Sequence, residues 1–354
     1  MLKDMRKNKK KKNESSIIGR LRGWFYHGRF IGFDIQSIIM TVLTALTIIT
    51  TVIMGLLLYN RFKMAIKQTA VTNTENMVEN TVEKLDADLL NVRQITNAVN
   101  YNIIQEYDIS SRDFNRQFSL LYEINADKIQ SMALYDDKGN LLTAEPVAVQ
   151  KDAVEPSEQD WYQDAEADIE NIHFSIPHIQ NLFVDGTYRY YWVVSLSRSV
   201  DINDGEQPGS GVLLVDMKYS VIEDTLARIN DASNGIYYYL CSRDGQMIYH
   251  PRGTDMDRGY FKEEYRDAAT YEDGTYELTF NGRTSNVIVN SVAYTGWKVV
   301  GVVPESVQIA SINRFRYYII TTVIILMMML LGVNRIISKK ISRPILKLNE
   351  SVKA

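Results

Sequence analysis

The sequence predicts an α+β protein in which two α+β modules follow one another on a long N-terminal helix. Two transmembrane helices flank them, and a further helix begins after the second. Three observations predict this. Uninterrupted apolar runs stand near both ends of the chain. Acidic charge collects between those runs and basic charge outside them. The stretch between them changes from helical periodicity to two successive sets of alternating strands.

The first apolar run, "IIMTVLTALTIITTVIMGLLL" from Ile38 to Leu58, contains no charged residue. At the rise of an α-helix it reaches about 31 Å, one hydrocarbon thickness. The second, "YYIITTVIILMMMLLGV" from Tyr317 to Val333, reaches about 26 Å and spans if Asn334 to Ile337 extend it and Arg335 snorkels. A buried core helix is the alternative for each. Residues 1–34 carry ten Lys/Arg against three Asp/Glu, residues 334–354 six against one, and residues 61–316 carry 23 against 39. The positive-inside rule then places both tails in the cytoplasm and the acidic middle outside. The block "KNKKKKN" suits topology and anionic lipid better than nucleic acid. The 34 residues before the first run, and the run's own length, argue for an uncleaved anchor over a signal peptide. Cys241 is the only cysteine, so no intrachain disulfide forms and a metal site built on it is not expected.

Between the spans, no proline or glycine occurs from Phe62 to Tyr101. Val78, Val82, Leu85, Leu89, Val92, Thr96 and Val99 alternate steps of four and three, the stripe of a long helix that packs on its own domain or forms a dimer stalk. "SMALYDDKGNLLTAEP" then reads as a hairpin turning at 136–139, and "GTYRYYWVVSLSRSV" and "SGVLLVDM" as two further strands. In the following helix, "YSVIEDTLARIN", Ser220 and Glu223 have capping-box spacing. A second set follows: a hairpin at Asp244-Gly245, another at Asn281-Gly282, and the closing strand "GWKVVGVVP". The expected organisation is a basic cytoplasmic tail (1–34), a first membrane helix (35–60), a stalk helix (61–105), a distal module (106–232), a proximal module (233–312), a second membrane helix (317–337) and a linker (338–354).

Within the distal module, Trp161, Tyr162, Tyr190 and Trp192 offer flat apolar faces with a polar edge, suited to enclosing a small polar ligand, although plain core packing is the better reading of any one of them taken alone. Asp216 closes an otherwise apolar strand, where it either receives an ammonium or hydroxyl donor or leads into the next helix. No G-x-S-x-G, no H-E-x-x-H and no His/Cys/Asp grouping at ligand spacing occurs, and "DINDG" at 201–205 fails the EF-hand spacing, so a membrane-anchored ectoenzyme is a remote alternative.

This layout resembles the double Cache sensor of bacterial receptors. "DWYQDA" (160–165) is similar to the Trp-Tyr-x-x-Ala element of that family's distal pocket, and "GVLLVDM" to the Gly-Val-x-x-x-Asp strand of the opposite wall. "YLCSRDGQMIYHP" and "GWKVVGVVPES" resemble segments of the proximal module. The resemblance implies two PAS-like modules, the distal one holding a small extracellular ligand, in a homodimer. Amino-acid-binding members carry an arginine two residues before the tryptophan, to pair with the ligand carboxylate. Gln159 stands there, and an amide cannot make that bidentate charged pair, which argues against an amino-acid ligand. Arg198 is the candidate to bring a charge from another direction, with a surface ion pair as its other reading.

Beyond the second span, Ile341, Ile345, Leu348 and Val352 form an a/d seam on what reads as a new helix, with Pro344 near its head breaking or kinking the helix from the membrane. Arg343-Pro344-Ile345-x-x-Leu348 resembles the opening of a HAMP linker; a plain juxtamembrane amphipathic helix is the alternative. Arg343, Pro344, Ile345 and Leu348 are then the candidate relay residues, and a receptor front end without its output module is expected. "SIPHIQNLF", "WVVSLSRSV" and the lysine-rich leader look most like YesM-type sensor histidine kinases of Gram-positive bacteria, with chemotaxis receptors and cyclic-dinucleotide enzymes as alternatives. The kinase reading implies a response-regulator partner, with ATP and magnesium confined to the missing module. No cofactor is expected in residues 1–354, where no phosphoacceptor histidine or ATP-binding glycine box is found.

Overall fold

The computed structural model describes residues 35–167, 172–184, 189–203, 208–230, 235–259, 266–280 and 283–353. The basic tail, the Asn281-Gly282 turn and part of the "DINDG" loop lie outside them. The chain divides into two compact units, Ala65–Ser311 and the pair Met1–Met64 with Ile312–Ala354.

Helix α1 (Ile35–Val99) ends in a π-helical turn at Asn100–Ile104. The stripe read from the sequence lies inside the chain's own core: Val78, Leu85, Leu89, Val92, Thr96 and Val99 are buried and Val82 is partly buried against them. After α2 (Arg112–Asn125), capped by the Ser111 hydroxyl on the Phe114 amide, comes the distal sheet. Its strands are β1 (Ile129–Asp136), β2 (Leu141–Glu145), β3 (His173–Phe174), β4 (His178–Ile179), β5 (Trp192–Asn203) and β6 (Pro208–Lys218). They pair antiparallel in the order β2-β1-β6-β5-β3, with β4 also on β5. Helix α3 (Asp160–Ala167) precedes β3, and α4 (Ser220–Ile229) follows β6.

The proximal sheet comprises β7 (Tyr237–Cys241), β8 (Met247–Tyr249), β9 (Gly274–Phe280), β10 (Arg283–Ser291) and β11 (Lys298–Pro304), in the order β8-β7-β11-β10-β9, with the short helix α5 (Gly253–Asp257) after β8. One continuous core joins α1 to the inner faces of both sheets, from Leu89, Val92 and Phe114 through Leu196 and Val215 to Leu240, Ile288 and Val299. The approach of β11 to α1 requires glycine. A Cβ on Gly301 would stand 2.6 Å from Thr74 Cγ2 and 2.8 Å from Val78 Cγ2.

Two expectations change. Ser220 and Glu223 do not form a capping box. Tyr219, already in helical backbone conformation, is the N-cap residue, Ser220 is the first helical residue, and no side chain caps the helix. Helix α6 (Glu305–Lys353) also runs through Pro344, so of the expected break or kink the break does not occur. A proline removes one N–H and the helix keeps its bonds on either side.

In the other unit, two helices are long and apolar enough to cross a membrane, with mean hydropathies of 2.3 and 2.1. The apolar side chains Leu46, Ile49, Val52 and Leu57 on α1, and Ile325 and Met328 on α6, face outward, as lipid contact demands. Where the helices meet, the Asn334 side-chain amide donates to Thr47 Oγ1 at 2.6 Å, and Val323 packs on Gly55.

Candidate functional site

The pairing of β1, β6 and β5 brings three polar residues into one row. Ser131 is the register partner of Asp216, and Asp216 that of Ser195. All three are buried. The Ser131 hydroxyl donates to Asp216 Oδ2 at 2.7 Å, and the Ser195 hydroxyl to Oδ1 at 2.5 Å. Behind them, Gln180 Nε2 donates to Ser131 Oγ at 3.2 Å, and His178 Nε2 lies 3.3 Å from Ser195 Oγ. Because the single Ser195 proton goes to Asp216, the His178 Nε2–H is the donor in that contact.

Burial raises the Asp216 carboxyl above the usual carboxylate range, while the two serine hydroxyls, His178 and Gln180 pull the other way. A charged group in this place is expensive without a cationic partner.

Alternation along the strands fixes which face Asp216 shares. Leu214, Val212, Ala133 and Tyr135 lie on it, against Trp161, Tyr162 and Ala165 of α3 and Leu182 and Phe183 of the covering segment. The Tyr135 ring stands 5.5 Å from Trp161, which meets Tyr162 edge-on at 5.7 Å. Burial and then the Asp216 charge raise the Tyr135 hydroxyl above its ordinary range. The Tyr135 and Ser197 hydroxyls are buried and find no hydrogen-bond partner among the described residues. The Tyr162 hydroxyl, by contrast, is engaged on the Asp136 carbonyl at 2.7 Å, and burial above all pushes it up to about 12. This face therefore combines an acid, two open hydroxyls and a wall of aromatic rings, which suits a small ligand with a hydrogen-bond-donating or cationic head.

The structure brings Trp161, Tyr162 and Asp216 to one face and sets the other candidates apart. Gln159 is half-buried before α3, its amide 3.4 Å from the Glu155 carbonyl. Arg198 points to the opposite face of β5, where it donates to Asn97 Oδ1 at 2.8 Å and lies over the Tyr101 ring. It is not beside Asp216, and it forms no ion pair among the described residues. Tyr190 is 80% exposed and Trp192 52% exposed, and both line a separate cleft at the start of β5. Ser131, Ser195, Ser197, Tyr135, His178 and Gln180 were not singled out as site residues from the sequence. The alternating serines in "VVSLSRS" were the one signal that this strand face is polar. Of the relay residues, Pro344 is exposed on α6 and the Arg343, Ile345 and Leu348 side chains lie outside the described residues.

A family model for the Cache domain matches residues 62–312. A probable methyl-accepting chemotaxis protein of Bacillus thuringiensis is 20% identical over 301 residues, 82% of this chain and 42% of its own length. The methyl-accepting chemotaxis protein TlpB of Bacillus subtilis is 23% identical over 231 residues, 64% of this chain and 30% of its own. The chain thus spans less than half the length of these relatives. Among solved structures, the ligand-binding domain of the Campylobacter jejuni chemoreceptor Tlp3, in complex with 4-methylisoleucine, shares the fold. Its TM-score is 0.53 at 12% identity, over 69% of this chain and 94% of that one.

Proposed function

The chain belongs to the Cache-domain family, and from that premise we propose that it is the ligand-sensing and transmembrane part of a bacterial receptor, with the distal module as the sensor. The buried Asp216 carries this reading. A carboxylate held by two serines, beside two hydroxyls without a partner among the described residues, supports a donor that comes from outside the chain. Its occupant is a small molecule with an ammonium or polyol head. Gln159 offers no charge for a carboxylate at the other end, and Arg198 is turned away to Asn97, so an amine or polyol fits better than an α-amino acid.

Ligand binding favours one of two arrangements of the distal module, and β5 carries the difference to α1 through Arg198, Asn97 and Tyr101. Charge distribution supports a two-pass topology with both tails cytoplasmic. For the output, the Arg343-Pro344-Ile345-x-x-Leu348 pattern supports a HAMP-type relay, and the resemblance of "SIPHIQNLF" supports a histidine kinase with a response-regulator partner. The relatives favour a second output, a chemotaxis signalling domain, since both curated proteins are named for that role.

The test is a thermal-shift screen of the full chain in detergent against amines, polyols, sugars and amino acids. The expected result is a stabilising ligand with an ammonium or hydroxyl head whose effect Asp216→Ala removes. A ligand that stabilises the Asp216→Ala variant equally takes Asp216 out of the site.

A further inference from the structure

A cleft of about 930 Å³ lies where the distal and proximal modules meet. Its walls come from three places: Tyr190 and Trp192 at the head of β5, Tyr219 and Glu223 at the first turn of α4, and Tyr249 on β8. Asp216 is not among its lining residues, so it is distinct from the site above.

Its aromatic faces are unusually open. Tyr190 is 80% exposed and Trp192, 6.3 Å from the Tyr219 ring, is 52% exposed. Large apolar faces left open in a concave place mark a binding surface. Three of the cleft's polar groups are already engaged. The Tyr219 hydroxyl donates to the Ile248 carbonyl at 2.8 Å, Lys218 Nζ donates to the Ala126 carbonyl, and His250 Nδ1 accepts the Arg252 amide at 3.0 Å. Glu223 differs. Freed from the capping box that its spacing suggested, it is exposed and forms no ion pair among the described residues. It lines the cleft together with Tyr219 and Tyr249, whose hydroxyls burial and then the Glu223 charge raise.

Open aromatic faces beside a carboxylate that has no ion pair among the described residues are the chemistry that holds an organic ammonium ion, through cation–π attraction and charge together. We propose that the cleft between the two modules is a second ligand site, specific for a small organic ammonium cation, with Trp192 and Tyr190 as its aromatic walls and Glu223 as its counter-ion. Such a ligand touches both modules at once. It therefore stabilises their junction whether or not the Asp216 site is filled.

The probe is choline, with its uncharged isostere 3,3-dimethylbutan-1-ol as control, added to the full chain in detergent while the melting temperature is followed. At about ten times its Kd, choline raises Tm by about 3 °C and the isostere has little effect. Glu223→Gln and Trp192→Ala each abolish the rise, whereas Asp216→Asn keeps it. Glu223 is exposed and its amide has the same shape, so that variant folds. Three results overturn the proposal: no rise with choline up to millimolar concentrations, an equal rise with the neutral isostere, or a rise lost in Asp216→Asn and kept in Glu223→Gln.

Discussion

Asp216 carries a cost of burial that two serine hydroxyls, His178 and Gln180 offset in part. Burial raises its carboxyl, so the folded chain binds that proton more readily than the unfolded chain. Stability from this residue therefore falls as pH rises from the ordinary carboxylate value, about 3.9, to the raised one, and above that the full cost is present. Asp216→Asn keeps the shape and removes the charge. At pH 7 we expect the variant to melt about 3 °C higher than the parent, with the gap closing below about pH 3.9, as paired thermal melts across that range will read. A lower Tm at pH 7 would mean that the serine bonds and His178 outweigh burial. Part of this site was legible beforehand. An acid ending an apolar strand, and a Trp-Tyr pair opening a helix, both stand out in the sequence. Ser131 and Ser195 did not, because small polar residues inside strands look like filler until pairing sets them beside Asp216, 85 and 21 residues away. Tyr190 and Trp192 lie apart from Asp216, at the head of β5, a separation that spacing in the sequence does not reveal.

Among the elements, α1 was legible because its stripe keeps one period for many turns, and the hairpins because glycine marks their turns: Gly139 and Gly245 both have positive φ. The π turn after α1 and the loss of the Ser220 cap left no such mark, since each depends on packing rather than on spacing. The contact of β11 with α1 is likewise tertiary, and it makes a sharp prediction. Gly301→Ala drives a methyl to within 2.6 Å of Thr74 Cγ2, and overpacking of this kind costs about 2 kcal/mol. The full chain should melt about 6 °C lower. Thr74→Ser deletes the nearer methyl, so the double variant should recover part of the loss, while Val78 Cγ2, at 2.8 Å, keeps the recovery incomplete. Purely additive losses in the double variant would show that β11 and α1 do not meet at Thr74.

For the molecule as a whole, the decisive question is on which side of the membrane the sensing unit lies. Charge gives an expectation from the sequence: the positive-inside rule predicts tails with ten and six basic residues inside and the acidic middle outside. The chain also supplies a quiet background for testing this. Its single cysteine, Cys241, is buried, and burial pushes its thiol up to about 11, so it is protonated and shielded at neutral pH. Single cysteines introduced at Ser16, at the exposed Ser210 and at Ser351 can therefore be read one by one with a membrane-impermeant maleimide. Ser210→Cys should label on intact cells, and Ser16→Cys and Ser351→Cys only after the membrane is opened. If the two ends label on opposite sides, one apolar run does not cross. If both ends label on intact cells and Ser210→Cys does not, the charge rule is inverted here, and both candidate sites face the cytoplasm, where neither could report on the outside.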